Sequence, residues 1–492
     1  MVKPFGKSER FERSGQYENC NFMRLLGAIC LAGLTSIAFC DTTYLGLYLK
    51  GDKMGYSSYV SSPAKLDGKN VVCNQSKTVM DAGLLGSEMT VTMDSTSWST
   101  KDGHPIRMIF DTISGGRSNK VDAEFGQHSV ILKIVNGGVK STQSLIVPAD
   151  AQVVDDPLTL VLTHKIRIGS QQTVYVLDPT TASLMKNLVV VVGFSQTSID
   201  GKKVSATLIR VTDPRAVTDV FVGQRGEIIR VDGPMGLYML PISKATAMAR
   251  NGKYRPSTDL AITTSIKADK NLPNPEELTH LKMRLFSESI NSIPSDQYQT
   301  ATKMGQGWQI DIHPPKLSVN KAATILNAAN GKAEWLKASL NMPSNSLIFR
   351  KLAQEIIGSK KDVQSAAFAI QNYVNLNMTP NAGIGVLRDA TEVLATKEGV
   401  CRDYATLTVT LLRAAGIPAR LASGLVSWDG TFYYHAWAEA WDGLRWIGVD
   451  STTNRSQMSA SHVKLGDGNV DTAFTFSFLE KARIEVMEVS KE

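Results

Sequence analysis

The sequence predicts an α+β protein, with a β-rich N-terminal region followed by a module of helices and a terminal hairpin. Residues 41 to about 250 carry β-branched or alternating runs, punctuated by Gly, Asn and Asp turns. Residues 346–376 and 399–415 change to helical spacing. An Asp442-Gly443 pair then stands between two strand-like runs, which is a short-range hairpin signal.

In chain order, Leu25 to Cys40 is a 16-residue run without charge, preceded by Arg24 and a net-basic stretch. A run this short, ending in Ala38-Phe39-Cys40, reads as a secretory signal peptide rather than a membrane span. Residues 1–40 are therefore set apart as a targeting segment, with Met23 as an alternative start. An uncleaved anchor is the main competing reading; lipidation at Cys40 is disfavoured by the bulk of Phe39. Strands are expected at Thr43 to Val60, Val130 to Ile134, Leu158 to Ile168, Thr173 to Leu177, Leu188 to Phe194 and Val204 to Val211, as a curved or barrel-like antiparallel sheet over residues 41–250. A small β region over 251–320 has strands at Leu260 to Ile266, Leu281 to Phe286 and Trp308 to Ile312. It ends at His313-Pro314-Pro315. A helical linker is expected over 321–345, and residues 346–492 form the last module, opening with helices at Ser346 to Ile357 and Asp362 to Leu376.

Within that module, Gly399-Val400-Cys401 opens an apolar run of Tyr404, Leu407, Leu411, Leu412 and Ala415, which Gly416 and Pro418 end. Cys401 falls in the first turn of this helix, where the positive end of the dipole favours thiolate over thiol. Residues Tyr433 to Trp441 and Leu444 to Asp450 read as the strands of the hairpin. With Asp442-Gly443 as its whole loop, Trp441 faces Leu444 and His435 faces Asp450. Directly opposed side chains are roughly 4.5–5.5 Å apart at Cβ. The imidazole can then give one N–H to the carboxylate and turn its other nitrogen to a thiol. A slip of one residue would send the two to opposite faces.

At these residues the chain resembles the transglutaminase-like superfamily, papain-like cysteine enzymes with a helix-borne Cys, a strand His and a strand Asp. The resemblance is continuous from Ala390 to Thr452, through Gly399-Val400-Cys401-Arg402-Asp403, Ala414-Ala415-Gly416-Ile417-Pro418-Ala419-Arg420, His435-Ala436-Trp437 and Val449-Asp450-Ser451-Thr452. It implies a papain-like core with a Cys401–His435–Asp450 triad. Ser451 stands where family members often have Pro. The Tyr44-Leu45-Gly46-Leu47-Tyr48 opening is loosely similar to secreted β-domains found ahead of such modules, which leaves that region either a binding domain or a spacer.

The triad implies covalent acyl transfer at a carboxamide or ester. Hydrolysis of an amide in a peptide or protein is the expected outcome, because amine transfer needs a built acceptor site for which the sequence carries no signal. Protein cross-linking, or a vestigial binding or envelope-assembly role, are the alternatives. One oxyanion donor is expected at the Cys401 backbone N–H. For the second, Asn372 and Tyr373 are weak candidates whose simpler role is helical. Asp403 is read as helping the helix dipole, Arg420 as an ion-pairing residue, and Trp437, Glu439 and Trp441 as sharing the face of His435. Tyr433 and Tyr434 approach from the preceding loop.

Composition limits the alternatives. The net charge is +7, and five Lys/Arg against three Glu in residues 1–40 leave the remainder at +5. That is too dilute for nucleic acid, though it suits weak association with an anionic envelope. Of five cysteines only Cys73 and Cys401 lie beyond residue 40; Cys73 is expected to be buried and apolar. No Cys/His spacing indicates a metal, Gly383-Ile384-Gly385 is no phosphate loop, and no cofactor is expected. The expected location is extracytoplasmic.

Overall fold

The computed structural model describes residues 41–84, 87–136, 138–158, 167–199, 201–213, 216–249, 259–287, 290, 292–317, 323–330, 332–383, 388–473, 479 and 481–491. They fall into two compact units, one spanning residues 41–259 and the other residues 260–383 with 388–491. The expected targeting segment of residues 1–40 lies outside the described residues, as does most of the strand expected at Leu158 to Ile168. Among the described residues, no helix is long and apolar enough to cross a membrane.

The first unit is an antiparallel meander whose fourteen described strands run from β1 (Thr43–Leu49) to β14 (Leu237–Pro241). Neighbours in sequence pair from β1 to β8 (Val139–Ile146) and from β9 (Gln171–Asp178) to β14, β1 also joins β14, and β8 and β9 end the order, without pairing to each other among the described residues. Period-2 alternation sets the faces: Leu45, Leu47 and Leu49 are fully buried, while Tyr48 between them is not. A sheet this wide covers one apolar face by curling on itself. The single strand expected over Thr43 to Val60 is two, because Lys50 and Gly51 take positive φ (49° and 100°) and turn the chain. Cys73, on β3 (Lys69–Leu84), is half-buried rather than buried, opposite Trp98.

In the second unit, Leu260 to Ile266 was expected as a strand. It forms a helical turn, Leu260–Thr264, then the two-residue β15 (Ile266–Lys267). The hydroxyls of Thr264 and Ser265 donate back to the carbonyls of Leu260 and Ile262 (2.7 and 2.8 Å), closing a helical turn that buries Leu260 and Ala261. The expected strands at Leu281 to Phe286 and Trp308 to Ile312 are β16 (Leu278–Phe286) and β18 (Gly307–Ile312). With β17 (Gln299–Met304) and the C-terminal β25 (Arg483–Lys491) they make a sheet in the order β17-β18-β16-β25. The expected helical linker contributes only two short pieces among its described residues, Ile325–Ala328 and Ala333–Leu336.

Among the described residues, the core of this unit is built on four helices of seven residues or more: α1 (Leu347–Ile357), α2 (Val363–Asn377), α3 (Ala390–Thr396) and α4 (Cys401–Ala414). Asp362 caps α2 by accepting from the Ser365 N–H at 2.8 Å. A short parallel pair of β19 (Thr379–Pro380) and β20 (Glu398–Gly399) leads into α4. A five-stranded sheet packs against α4: β21 (Ala419–Trp428) lies between β22 (Thr431–Trp441) and β24 (His462–Gly468), and the outer edge of β22 pairs with both β15 and β23 (Trp446–Val449). Residues 401–413 of α4 are all buried, because helices surround it as well as the sheet.

A buried ionic network stabilises β21, β22 and β24. Lys464 has a fully buried side chain whose Nζ donates to Glu439 at 2.7 Å and also contacts Asp296. Arg420 binds Glu439 (2.7 Å) and Asp467 (2.8 Å). Removing one member leaves a buried charge without its partner, which costs about 3–5 kcal/mol. Lys464→Ala should therefore lower the stability of this unit by that amount, read by urea unfolding with tryptophan fluorescence, since six of the seven tryptophans lie beyond residue 260. The exposed Lys77–Asp94 pair offers the control, and Lys77→Ala should change little.

Candidate active site

Cys401 occupies the first position of α4 because the helix start is built from charge rather than from a capping side chain. The N-cap residue, Val400, has no polar group, so the Asp403 carboxylate turns back and accepts the Val400 N–H at 3.0 Å. Arg388, fully buried, holds that carboxylate at 3.0 Å. Asp403 is thus a capping residue, as its position in the first turn suggested. Cys401 itself is fully buried.

His435 is carried by β22, and Asp450 follows β23 directly. The two-residue loop expected between these strands does not form. Asp442 accepts from the Leu444 and Arg445 N–H groups (both 3.0 Å), and its own N–H donates to the Arg445 carbonyl, so the loop takes four residues with Gly443 at φ +96°. Trp441 consequently faces Trp446, Ala438 faces Val449, and Glu439 faces Gly448 rather than Trp446. The register moves by two residues, a full pleat repeat, so Asp450 stays on the face of His435. The two are diagonal rather than directly opposed, and Nε2 of His435 lies 2.9 Å from Oδ2 of Asp450.

Both groups are buried, which disfavours charge on either. The Asp450 charge and hydrogen bond outweigh that cost at His435, and Cys401, close enough to hydrogen-bond the ring, adds to the effect; the imidazole is pushed up to about 10. Burial is likewise outweighed at Asp450, first by His435 and then by His462, so its carboxyl is held far below the usual carboxylate range. A raised histidine contributes stability in full below its unfolded value near 6.5, lost as pH rises through about 10. The depressed carboxylate contributes above about 3.9, lost as pH falls. Because Nε2 is engaged by Asp450, Nδ1 is the ring nitrogen that can serve Cys401.

His462, at the start of β24, was not singled out in the sequence. Its Nε2 lies 3.2 Å from the same Oδ2 of Asp450, and burial holds it below its ordinary value despite the carboxylate, so it donates as a neutral ring. The Thr452 N–H and hydroxyl donate to Oδ1 at 3.0 and 2.7 Å. Asp450 thereby has donors on both oxygens. From α2, Asn375 donates to the Ser451 carbonyl (3.0 Å) and Gln371 to those of Thr453 and Arg455 (3.1 and 2.6 Å), fixing the chain after Asp450. Ser451 meets Thr408 of α4 through their hydroxyls at 2.6 Å. Gly424 lies opposite His435 on β21, and a Cβ there would come within 1.9 Å of the Val463 carbonyl oxygen; only glycine admits β24 and His462 so close.

Trp437 is buried and packs against both rings, edge-on to His462 at 5.4 Å between centroids. Trp441 instead packs against Trp446. Arg420 and Glu439 belong to the ionic network, and the Tyr434 hydroxyl accepts from the Leu479 N–H. Asn372 and Tyr373 are half-buried on α2, where Gln371 and Asn375 make the contacts to the Asp450 loop. A recess lined by Ser427, Trp428, Arg455, Met458 and Ser461 opens onto Asp450 and His462.

Residues 350–451 match the model of the transglutaminase-like superfamily. The chain is 30% identical over 175 residues to an uncharacterized protein of Mycobacterium tuberculosis, covering 31% of this chain and 54% of that protein. It therefore spans about half the length of that relative. Among solved structures, it is similar to the periplasmic domain of TgpA from Pseudomonas aeruginosa bound to ethylmercury, with 17% identity, 39% of this chain and 89% of that one covered, and a TM-score of 0.29. It is also similar to a beta-barrel-like protein of domain of unknown function DUF1849 from Brucella abortus, with 12% identity, 41% and 93% covered, and a TM-score of 0.29. The Cys401 helix start, the His435 strand and Asp450 all fall within the family match, and residues 350–451 are a transglutaminase-like core.

Proposed function

We propose that this chain is an exported cysteine-dependent acyl-transfer enzyme that hydrolyses amide bonds in peptides or proteins, with Cys401 as nucleophile, His435 as acid and base, and Asp450 as the group that holds His435. The observation that carries this reading is the buried His435–Asp450 pair at 2.9 Å beside Cys401. A ring held protonated up to about 10 takes the thiol proton at neutral pH and leaves a thiolate.

The thiolate attacks the amide carbonyl carbon, forming the C–S bond, and the oxyanion is met by the Cys401 backbone N–H at the helix start. His435 gives its Nδ1 proton to the leaving nitrogen as the C–N bond breaks, and a thioester remains. Water then attacks the thioester, the neutral ring takes its proton, and the acid product leaves with the thiolate restored. Asp450 stays ionised and keeps Nε2 donating to it. Because Cys401 is buried, a substrate carbonyl reaches it only as neighbouring groups yield. Export rests on the uncharged Leu25–Cys40 run, and the mild positive charge suits an envelope setting.

The test is alkylation of Cys401 by iodoacetamide as a function of pH, read by peptide mapping. In wild type the rate should change by less than about threefold between about pH 6 and 8, whereas an ordinary thiol gains roughly a hundredfold. Asp450→Asn leaves His435 with burial but no carboxylate, so the ring turns neutral and labelling should become slow near pH 6 and rise with pH. A wild type that follows the ordinary thiol curve would remove the nucleophile from the reading. With an unfolded protein as substrate, wild type should release peptides at least about a thousandfold faster than Cys401→Ala. Incorporation of an added primary amine into high-mass products, without peptide release, would instead favour cross-linking.

A further inference from the structure

A second convergence of ligand-type side chains lies on the β17-β18-β16-β25 sheet, apart from the triad. β16 and β18 pair with Leu281 opposite Ile312, so His280 comes opposite His313, the residue after β18. Asp311 is two residues before His313 and shares its face. Nε2 of His280 is 2.8 Å and Nε2 of His313 2.9 Å from Oδ1 of Asp311. The two rings stack at 4.1 Å between centroids, 10° from parallel, and the three donor atoms lie within 4.8 Å of one another. Lys282, opposite Asp311, is drawn to Glu488 on β25 at 3.0 Å, which balances its charge.

We propose that His280, Asp311 and His313 form a binding site for a divalent transition metal of the zinc class, with water filling the remaining positions. Two imidazoles and a carboxylate are a borderline-soft donor set of the kind zinc takes when it keeps an open position. Exposure rises from 17% at His280 through 30% at Asp311 to 62% at His313, so a hydrated ion can enter from the His313 side. Around tetrahedral zinc, neighbouring ligand atoms stand roughly 3.3 Å apart, so the present contacts need widen by only about half an ångström. On binding, Nε2 of each ring exchanges its contact with Asp311 for a nitrogen–metal bond. Strand pairing fixes His280 and Asp311, His313 follows β18 directly with its N–H on the Tyr298 carbonyl at 2.9 Å, and the bound ion would tie the chain after β18 to β16.

His435, Asp450 and His462 converge in a similar way but are buried, so the test must separate the two places. Zinc is titrated calorimetrically into chelator-treated, dialysed full chain as wild type, His313→Ala, Asp311→Asn and His435→Ala. One zinc should bind with Kd below about 10 μM in wild type and His435→Ala. The affinity should weaken at least about tenfold in His313→Ala and Asp311→Asn, with zinc raising Tm only in the first two. His313 is largely exposed, so circular dichroism of His313→Ala should match wild type. Binding that survives His313→Ala and disappears in His435→Ala would overturn the proposal in favour of the triad. Absence of binding up to about millimolar zinc would overturn it outright.

Discussion

The buried pair of His435 and Asp450 is the interaction on which the transglutaminase-like region depends. Two ionised groups taken out of water are costly unless each remaining donor and acceptor is met. That requirement accounts for the surroundings. Thr452 and His462 complete the hydrogen bonds of the carboxylate, and Asn375 and Gln371 hold the loop that carries it. Gly424 clears the space into which β24 brings His462. Trp437 covers both rings. The same logic is repeated in the Lys464–Glu439–Arg420 network, where buried charges on adjacent strands are matched to one another.

Much of this core was legible in the sequence because it rests on local signals. Helical periodicity with Gly416 and Pro418 beyond it marked α4, and Ser346 and Asp362 marked the starts of α1 and α2. The hairpin was read correctly in its face and wrongly in its loop. An Asp-Gly pair favours a two-residue turn, but the Asp442 side chain can also satisfy two N–H groups further on, and that Asx-type loop won. The result kept His435 and Asp450 together because the slip was even.

What was not legible depends on long-range pairing. His462 reaches Asp450 only because β24 lies beside β21, which nothing near residue 462 announces. Gln371 and Asn375 look like ordinary helical residues until the chain after Asp450 is laid across them. His280 and His313 are 33 positions apart and become neighbours only through the β16–β18 register. At Leu260 to Thr264, strand-like composition lost to hydroxyls that bond back to the local backbone. In the first unit, alternation marked some of the strands, β1 and β9 among them, but fourteen described strands in one meander are a global order that no single window encodes.

The central claim is that His435 carries a proton at neutral pH because Asp450 is ionised beside it. The most direct measurement is nitrogen NMR of the protein labelled at its seven histidines, titrated from about pH 5 to 11 with His435→Ala used to assign the signal. The account predicts that both His435 nitrogens remain in the imidazolium range through neutrality and titrate near 10. A His435 signal that turns to neutral imidazole at or below about pH 7 would contradict it.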